Sequence, residues 1–335
     1  MNRLPKIPYR LKTLTGALAA LSLIPPLWAA PEQGQVISGQ GSIEQQGKNT
    51  LIQQASERLN INWQNFDVNS DERVQFIQPQ ESSIAFNRIL SNKGSLIQGR
   101  IDANGQVVLI NPNGIIFTDT ASVNVGALVA SGLDIKQEDF LNSQFTLNAL
   151  EGTGGQVINS GLLTAATGGS INLLGTRVEN NGLISANLGS VNLAAGKEAV
   201  LTFERDGLIG VRVSQAVLQD ELGVDAAVVN TGDINAQGGK VLLTASVSKN
   251  IFSQAVNVGE LNPAKSAVVN ADGSFTLGAG ADLVNKGAIA VGAGAAVLVA
   301  DKIHNSGHIS ADNAAGNAGA IELNARKTTL STGTS

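Results

Sequence analysis

Residues 157–163 read VINSGLL and residues 178–184 read VENNGLI, the same apolar-x-Asn-x-Gly-x-apolar pattern repeated after 21 residues. The pattern occurs six times. Besides Val157/Asn159/Gly161/Leu163 and Val178/Asn180/Gly182/Ile184, it stands at Leu90/Asn92/Gly94/Leu96 and Val228/Asn230/Gly232/Ile234. It returns at Leu283/Asn285/Gly287/Ile289 and Ile303/Asn305/Gly307/Ile309, the last two 20 residues apart. The wider gap of 67 residues from 90 to 157 fits three such units, and those of 50 and 55 further on imply two units plus insertions. Most copies are followed by a second half-repeat, Gly-x-apolar-x-Leu, as at Gly105/Val107/Leu109, Gly169/Ile171/Leu173, Gly189/Val191/Leu193, Gly239/Val241/Leu243 and Gly319/Ile321/Leu323.

Each unit of about 20 residues is therefore a set of short period-2 strands punctuated by glycine, with every second side chain turned inward. One such unit has no partner for its inner face. Stacking units at one strand spacing, ~4.8 Å per coil, supplies it and produces an all-β parallel β-helix, a solenoid. Asn92, Asn159, Asn180, Asn230, Asn285 and Asn305 would then stack as an Asn ladder, amide upon amide. A sandwich of Asn-Gly hairpins predicts scattered spacings rather than 20 and 21. By this arithmetic the rod has roughly 10–13 coils and a length of about 50–60 Å.

Composition suits a narrow core. Gly accounts for 38 of 335 residues, aromatics for 4% and charged residues for 15%, yet the mean hydropathy is +0.10. The net charge of −5, with no cluster of Lys and Arg, argues against a nucleic-acid surface. Cysteine is absent, which excludes a disulfide scaffold.

Residues 1–30 read as a signal peptide. Arg3, Lys6, Arg10 and Lys12 precede an apolar run from Leu14 to Ile24, then Pro25-Pro26 and the small pair Ala29-Ala30. The apolar run is too short to span a ~30 Å hydrocarbon core. Residues 31–135 are expected to hold an N-terminal cap and the first coils. Within them 32–80 are rich in charge, Gln and aromatics (Trp63, Phe66, Phe76), as a cap over an open strand edge would be. Residues 136–335 are expected to continue the coils to a truncated C-terminus. From 121 to 135 the alternation Val123, Val125, Ala127, Val129 is expected to carry the rod onward.

Chemistry-bearing groups are sparse. His304 and His308 are the only histidines, and they flank a glycine-containing corner. The run 67–72 (DVNSDE) resembles the start of a calcium loop but lacks its sixth-position Gly and has Gln78 where a bidentate Glu belongs. Glu204, Arg205 and Asp206 read as a solvated loop, and no nucleophile stands beside a base. The expectation is a protein that is not an enzyme and carries no cofactor and no metal.

One corner is spelled unlike the others. Between the apolar runs of VVLINPNGIIF (107–117) stand Asn111, Pro112, Asn113 and Gly114, a sequence suited to a type I turn. Other corners turn on simpler residues, such as Leu174-Gly175-Thr176. That block, in order with INWQNFDV (61–68), VQFIQP (74–79), FNRIL (86–90), NGQVVLINPNGIIF (104–117) and ASVNVGALVASGLDI (121–135), strongly resembles the N-terminal secretion domain of two-partner-secretion exoproteins, the filamentous haemagglutinin family. The Gln78-Pro79 and Phe86-Asn87-Arg88 spelling, in place of an upstream Asn-Pro-Asn-Leu, is closer to the high-molecular-weight adhesin branch.

The resemblance implies a right-handed parallel β-helix that targets a surface or secreted exoprotein, an adhesin or haemagglutinin, to a dedicated outer-membrane β-barrel transporter of the two-partner-secretion type. It implies that the transporter's periplasmic domains recognise the chain, with Asn111, Pro112, Asn113, Gly114 and Ile115 as the recognition motif and Trp63, Phe66, Asn87 and Arg88 as secondary positions. A host-cell receptor would be met by cargo beyond this segment. The residues leave open whether the motif is read directly or only shapes the fold. A self-contained adhesin binding a glycan or receptor is the alternative function.

Overall fold

The structure, a computed structural model, describes residues 30–141, 145–196, 198–203, 209–215, 228–236, 240–245, 265–269, 275–279, 282–312 and 319–331. The signal segment and the Glu204–Asp206 loop of the sequence reading lie outside the described residues.

The two copies that open the sequence reading lie one upon the other. Val157 pairs with Val178 and Asn159 with Asn180 in parallel register, and Val178 and Asn180 pair in turn with Val228 and Asn230. Three parallel sheets wind in this way around one axis. Aliphatic side chains repeat at the same inward position in every coil. In the second sheet Val74, Ile101, Val123, Leu163, Ile184, Ile234, Ile289 and Ile309 form one column, each at most 1% exposed. In the first sheet Leu59, Ala85, Val107, Leu128, Ile171, Val191, Val241 and Ala296 form another. Each large aliphatic side chain so buried contributes about 1.5–3 kcal/mol, and identical neighbours above and below reward a strict period.

The rod is shorter than the sequence spacing suggested. Among the described residues five coils have strands in all three sheets, two further coils have their third strand joined to the first sheet, and the two coils before them all have strands in two, so the length is roughly 40 Å. Ile97, Phe117 and Asn159 stand in one register, so the wide first gap holds two units rather than three, because 132–155 leaves the rod. The same register corrects the first member of the proposed ladder. Asn92 is exposed and lies outside the strand; Ile97, not Asn92, occupies the ladder position in its coil.

At Asn159, Asn180 and Asn230 the ladder position is polar and buried. Asn159 Nδ2 donates to Asn180 Oδ1 at 2.8 Å, and Asn180 Nδ2 donates to Asn230 Oδ1 at 2.7 Å, with all three residues 0% exposed. Asn285 and Asn305 pair by backbone in the last coils, and Asn305 is buried. At the opposite corner glycine is obligatory for a different reason. A Cβ on Gly169 would sit 1.9 Å from the Gly126 carbonyl oxygen, and one on Gly189 would sit 1.7 Å from that of Gly169. The coils approach here backbone to backbone.

The end of the rod is closed by two antiparallel strands. Gln35–Ser38 pairs with Arg58–Trp63, and Gly41–Gln46 pairs with Asn49–Gln54. The cap is thus smaller than 32–80. Trp63, Phe66 and Phe76, each 1% exposed, fill the interior of the first coils instead.

An outer layer was not anticipated from the sequence. Asp134–Ile135, Thr146–Asn148, Glu198–Phe203 and Ile209–Gln215 form an antiparallel sheet, joined by a short helix Gln137–Leu141. It belongs to a second apolar core with Phe86, Val108, Ile110, Ala127 and Val129 on the outer face of the first sheet. Phe145 stacks on Phe86 at 4.7 Å, and Phe140 meets Phe86 edge-on at 5.8 Å. Both faces of the first sheet are therefore buried here, which is why QVVLI (106–110) and ALVAS (127–131) run apolar without alternation. The expected continuous alternation from Val123 to Val129 changes parity at Gly126. Val123 and Val125 face the rod's core, whereas Ala127 and Val129 face the outer one.

Candidate functional site

The Asn-Pro-Asn-Gly corner follows the strand Gln106–Ile110 and precedes Ile115–Phe117. Gly114 N donates to Asn111 O at 2.9 Å, the bond of a type I turn, and Gly114 has φ +106°. A Cβ at Gly114 would meet the Gln156 carbonyl oxygen at 2.9 Å, so both conformation and space call for glycine.

The motif's polar groups are spent inside the protein. Asn111 is 0% exposed. Its Oδ1 accepts from Asn113 N at 3.0 Å, and its Nδ2 donates to Lys93 O and to Ser95 Oγ, both at 3.0 Å. Asn113 Nδ2 donates to Ser91 O at 2.8 Å. Gly114 O accepts from Ser95 N, and Pro112 O from Gly155 N at 3.0 Å. Pro112, Gly114 and Ile115 are buried and Asn113 is half-buried. A partner docking on this folded face meets the loop 91–95, in which Asn92, Lys93 and Gly94 are exposed, and the outward side chains of Leu90, Leu96 and Ile116, 48%, 40% and 42% exposed. Ser91, Lys93 and Ser95 are the residues that the sequence reading did not include in the site.

The secondary positions divide between two places. Trp63 Nε1 donates to Asn87 Oδ1 at 2.9 Å, Asn87 Nδ2 reaches Val108 O at 3.2 Å, and Phe66 meets Trp63 edge-on at 5.4 Å. These three form a node inside the rod. Arg88 points the other way. Its Nε and Nη2 donate to the two carboxylate oxygens of Asp134 at 2.9 Å each, tying the first sheet to the outer layer.

The calcium-like run is a hydrogen-bonded turn. Glu72 accepts from Asn69 N at 2.8 Å, Lys48 pairs with Asp71, and Asp67 accepts from Leu96 N at 2.7 Å. Burial is the largest influence on Asp67 and raises its pKa above the ordinary aspartate value. The folded chain thus holds the Asp67 proton more tightly than the unfolded chain does. The resulting stability is complete below the unfolded pKa and is lost as pH rises through the folded one. Asp67→Asn keeps an acceptor for Leu96 N without the charge, so it should melt above the wild type at pH 7, and the gap should close near pH 3. Thermal melts across that range check this.

His308 is exposed, and the side chain of His304 lies outside the described residues. A cavity of about 370 Å³ opens on the second sheet, lined by Gln75, Ile77, Asp102, Ala103, Asn104 and Asn124. Arg73 and Arg100 both bond the Asp102 carboxylate beside it.

With this geometry in hand, comparison with known proteins is specific. The profile of the TPS (two-partner secretion) secretion domain matches residues 29–291. A heme/hemopexin-binding protein of Haemophilus influenzae strain Rd is 32% identical over 246 residues, covering 69% of this chain and 26% of that protein. A second Haemophilus influenzae protein of the same name is 36% identical over 135 residues, covering 39% and 14%. The crystal structure of the HMW1 secretion domain from Haemophilus influenzae superposes with a TM-score of 0.64 at 26% identity, covering 91% of this chain and 83% of that one. The chain spans about a quarter or less of the length of these curated relatives.

Proposed function

This chain belongs to the TPS secretion-domain family, and from that premise we propose that the turn at 111–115 builds the face by which its transporter selects it. The chain is a secretion domain of an exoprotein that leaves the cell across the outer membrane by way of a cognate transporter. The finer steps are ours. Periplasmic domains of the transporter bind the chain after residues 1–30 have directed it through the inner membrane, and secretion rather than catalysis is its task.

What carries the reading is the position of the motif in a rod that matches a known secretion domain over 91% of its length. The family match also begins at residue 29, where the segment read as a signal ends. The cargo is proposed to be an adhesin, as the family resemblance implies, or a haem-acquiring surface protein, because the relatives are named for binding heme and hemopexin. Its receptor on a host cell would be met by residues beyond this segment.

The test is co-expression of the signal-bearing chain with its cognate transporter, with an unrelated transporter of the same class, or with none. Protein in the medium is expected only in the first case. Equal amounts in all three would overturn the proposal. A glycan array probed with the purified mature chain separates the adhesin reading, for which the Gln75–Asn124 cavity is one recess among the described residues.

A further inference from the structure

The surface that the transporter binds, we infer, is the loop 91–95 with Leu96, which the motif holds from beneath. The inference rests on the reading of the chain as a transporter-selected secretion domain. Three amide contacts leave the motif for this one loop: Asn111 to Lys93 O and Ser95 Oγ, and Asn113 to Ser91 O. Ser95 N returns a bond to Gly114 O, and Lys93 N donates to Ser91 Oγ at 3.0 Å. The loop's inward carbonyls are thereby fixed, and Asn92, Lys93 and Gly94 are left exposed at its crest. Gly94 lies so close over the turn that a Cβ there would stand 3.1 Å from Asn113 O.

The chemistry of the crest selects a partner. Lys93 is the only charge in 91–95, a cation on a chain of net charge −5. It is flanked by the exposed apolar side chains Leu90, Leu96 and Ile116. Leu96 and Ile116 are neighbours in register across two coils, so they form one ridge rather than scattered points. The complementary surface is an acidic group set beside an apolar patch, on a periplasmic domain of the transporter. Asn111 is then a positioning residue, and Asn92 and Lys93 make the contact.

The experiment compares Lys93→Glu and Lys93→Ala with Asn111→Ala, and with Lys286→Glu as an exposed control elsewhere on the rod. Export by the cognate transporter, melting temperature, and binding to its purified periplasmic domains are measured for each. Lys93→Glu is expected to weaken binding by about 10-fold or more, with Lys93→Ala between it and wild type, since charge reversal at a contact adds repulsion. Lys93→Ala should melt close to the wild type and Lys93→Glu somewhat below it, because Lys93 lies within Coulombic reach of the Asp67 carboxylate, and Lys286→Glu should bind as wild type does. If Lys93→Glu binds and exports normally while Asn111→Ala does not, the loop is not the contact and the motif reading stands. If Asn111→Ala is exported normally too, the motif reading itself fails. Binding confined to urea-unfolded chain would also overturn the inference, since the loop's shape exists only in the fold.

Discussion

Asn111→Ala is expected to cut export by the cognate transporter to roughly a tenth of wild type or less, and to cost about 2–4 kcal/mol of stability. The side chain is fully buried and makes three hydrogen bonds. Its loss strands Ser95 Oγ, the Lys93 carbonyl and the Asn113 N–H within a tight corner. Loop 91–95 then loses the contacts that set its shape, and the recognised surface is altered even in molecules that remain folded. Asn111→Asp should be no rescue. It keeps the acceptor for Asn113 N but turns a carboxylate toward the Lys93 carbonyl and removes both donations. Secreted and cell-associated fractions, together with urea unfolding of the purified variants, measure the two effects. Wild-type export by a variant that is also as stable as wild type would contradict both.

Asn180→Ala is expected to lower stability by about 2–5 kcal/mol, because it breaks the ladder on both sides at once. Asn159 Nδ2 loses its acceptor and Asn230 Oδ1 its donor, each within a site that excludes water. Asn159 Nδ2 keeps only its long bond to the Gly161 carbonyl at 3.3 Å, and the bond from Asn230 Nδ2 to the Gly232 carbonyl does nothing for Asn230 Oδ1. The exposed neighbour Asn181 provides the control, and Asn181→Ala should cost less than about 1 kcal/mol. Equal losses for the two variants, measured by denaturant unfolding, would show that the stacked amides contribute little beyond solvation.

The ladder was legible because a parallel coil demands the same residue at the same height in every turn. Val157 and Val178, or Asn159 and Asn180, advertise their pairing by repetition alone. Asn92 shared the spelling without the position, since no repeat pattern can show which strand lies under it. The outer layer was not legible for a related reason. Its strands at 146–148 and 198–203 pair antiparallel across two intervening coils, and Phe86, Phe140 and Phe145 meet only in three dimensions. A trace of that layer was nevertheless present in VVLI and ALVA, runs too uniformly apolar for a strand with one wet face. At the motif, the turn chemistry of Asn-Pro-Asn-Gly could be read directly, whereas the loop it anchors could not, because Ser91 and Ser95 carry no sequence mark of their role.

The most direct measurement is amide hydrogen exchange on the folded chain, alone and bound to the periplasmic domains of its transporter. Added protection concentrated in 91–97 and 111–117 is the predicted result. Protection confined to the cap strands Gln35–Ser38 and Gly41–Gln46, or exchange in 91–117 unchanged by a saturating transporter, would contradict the account.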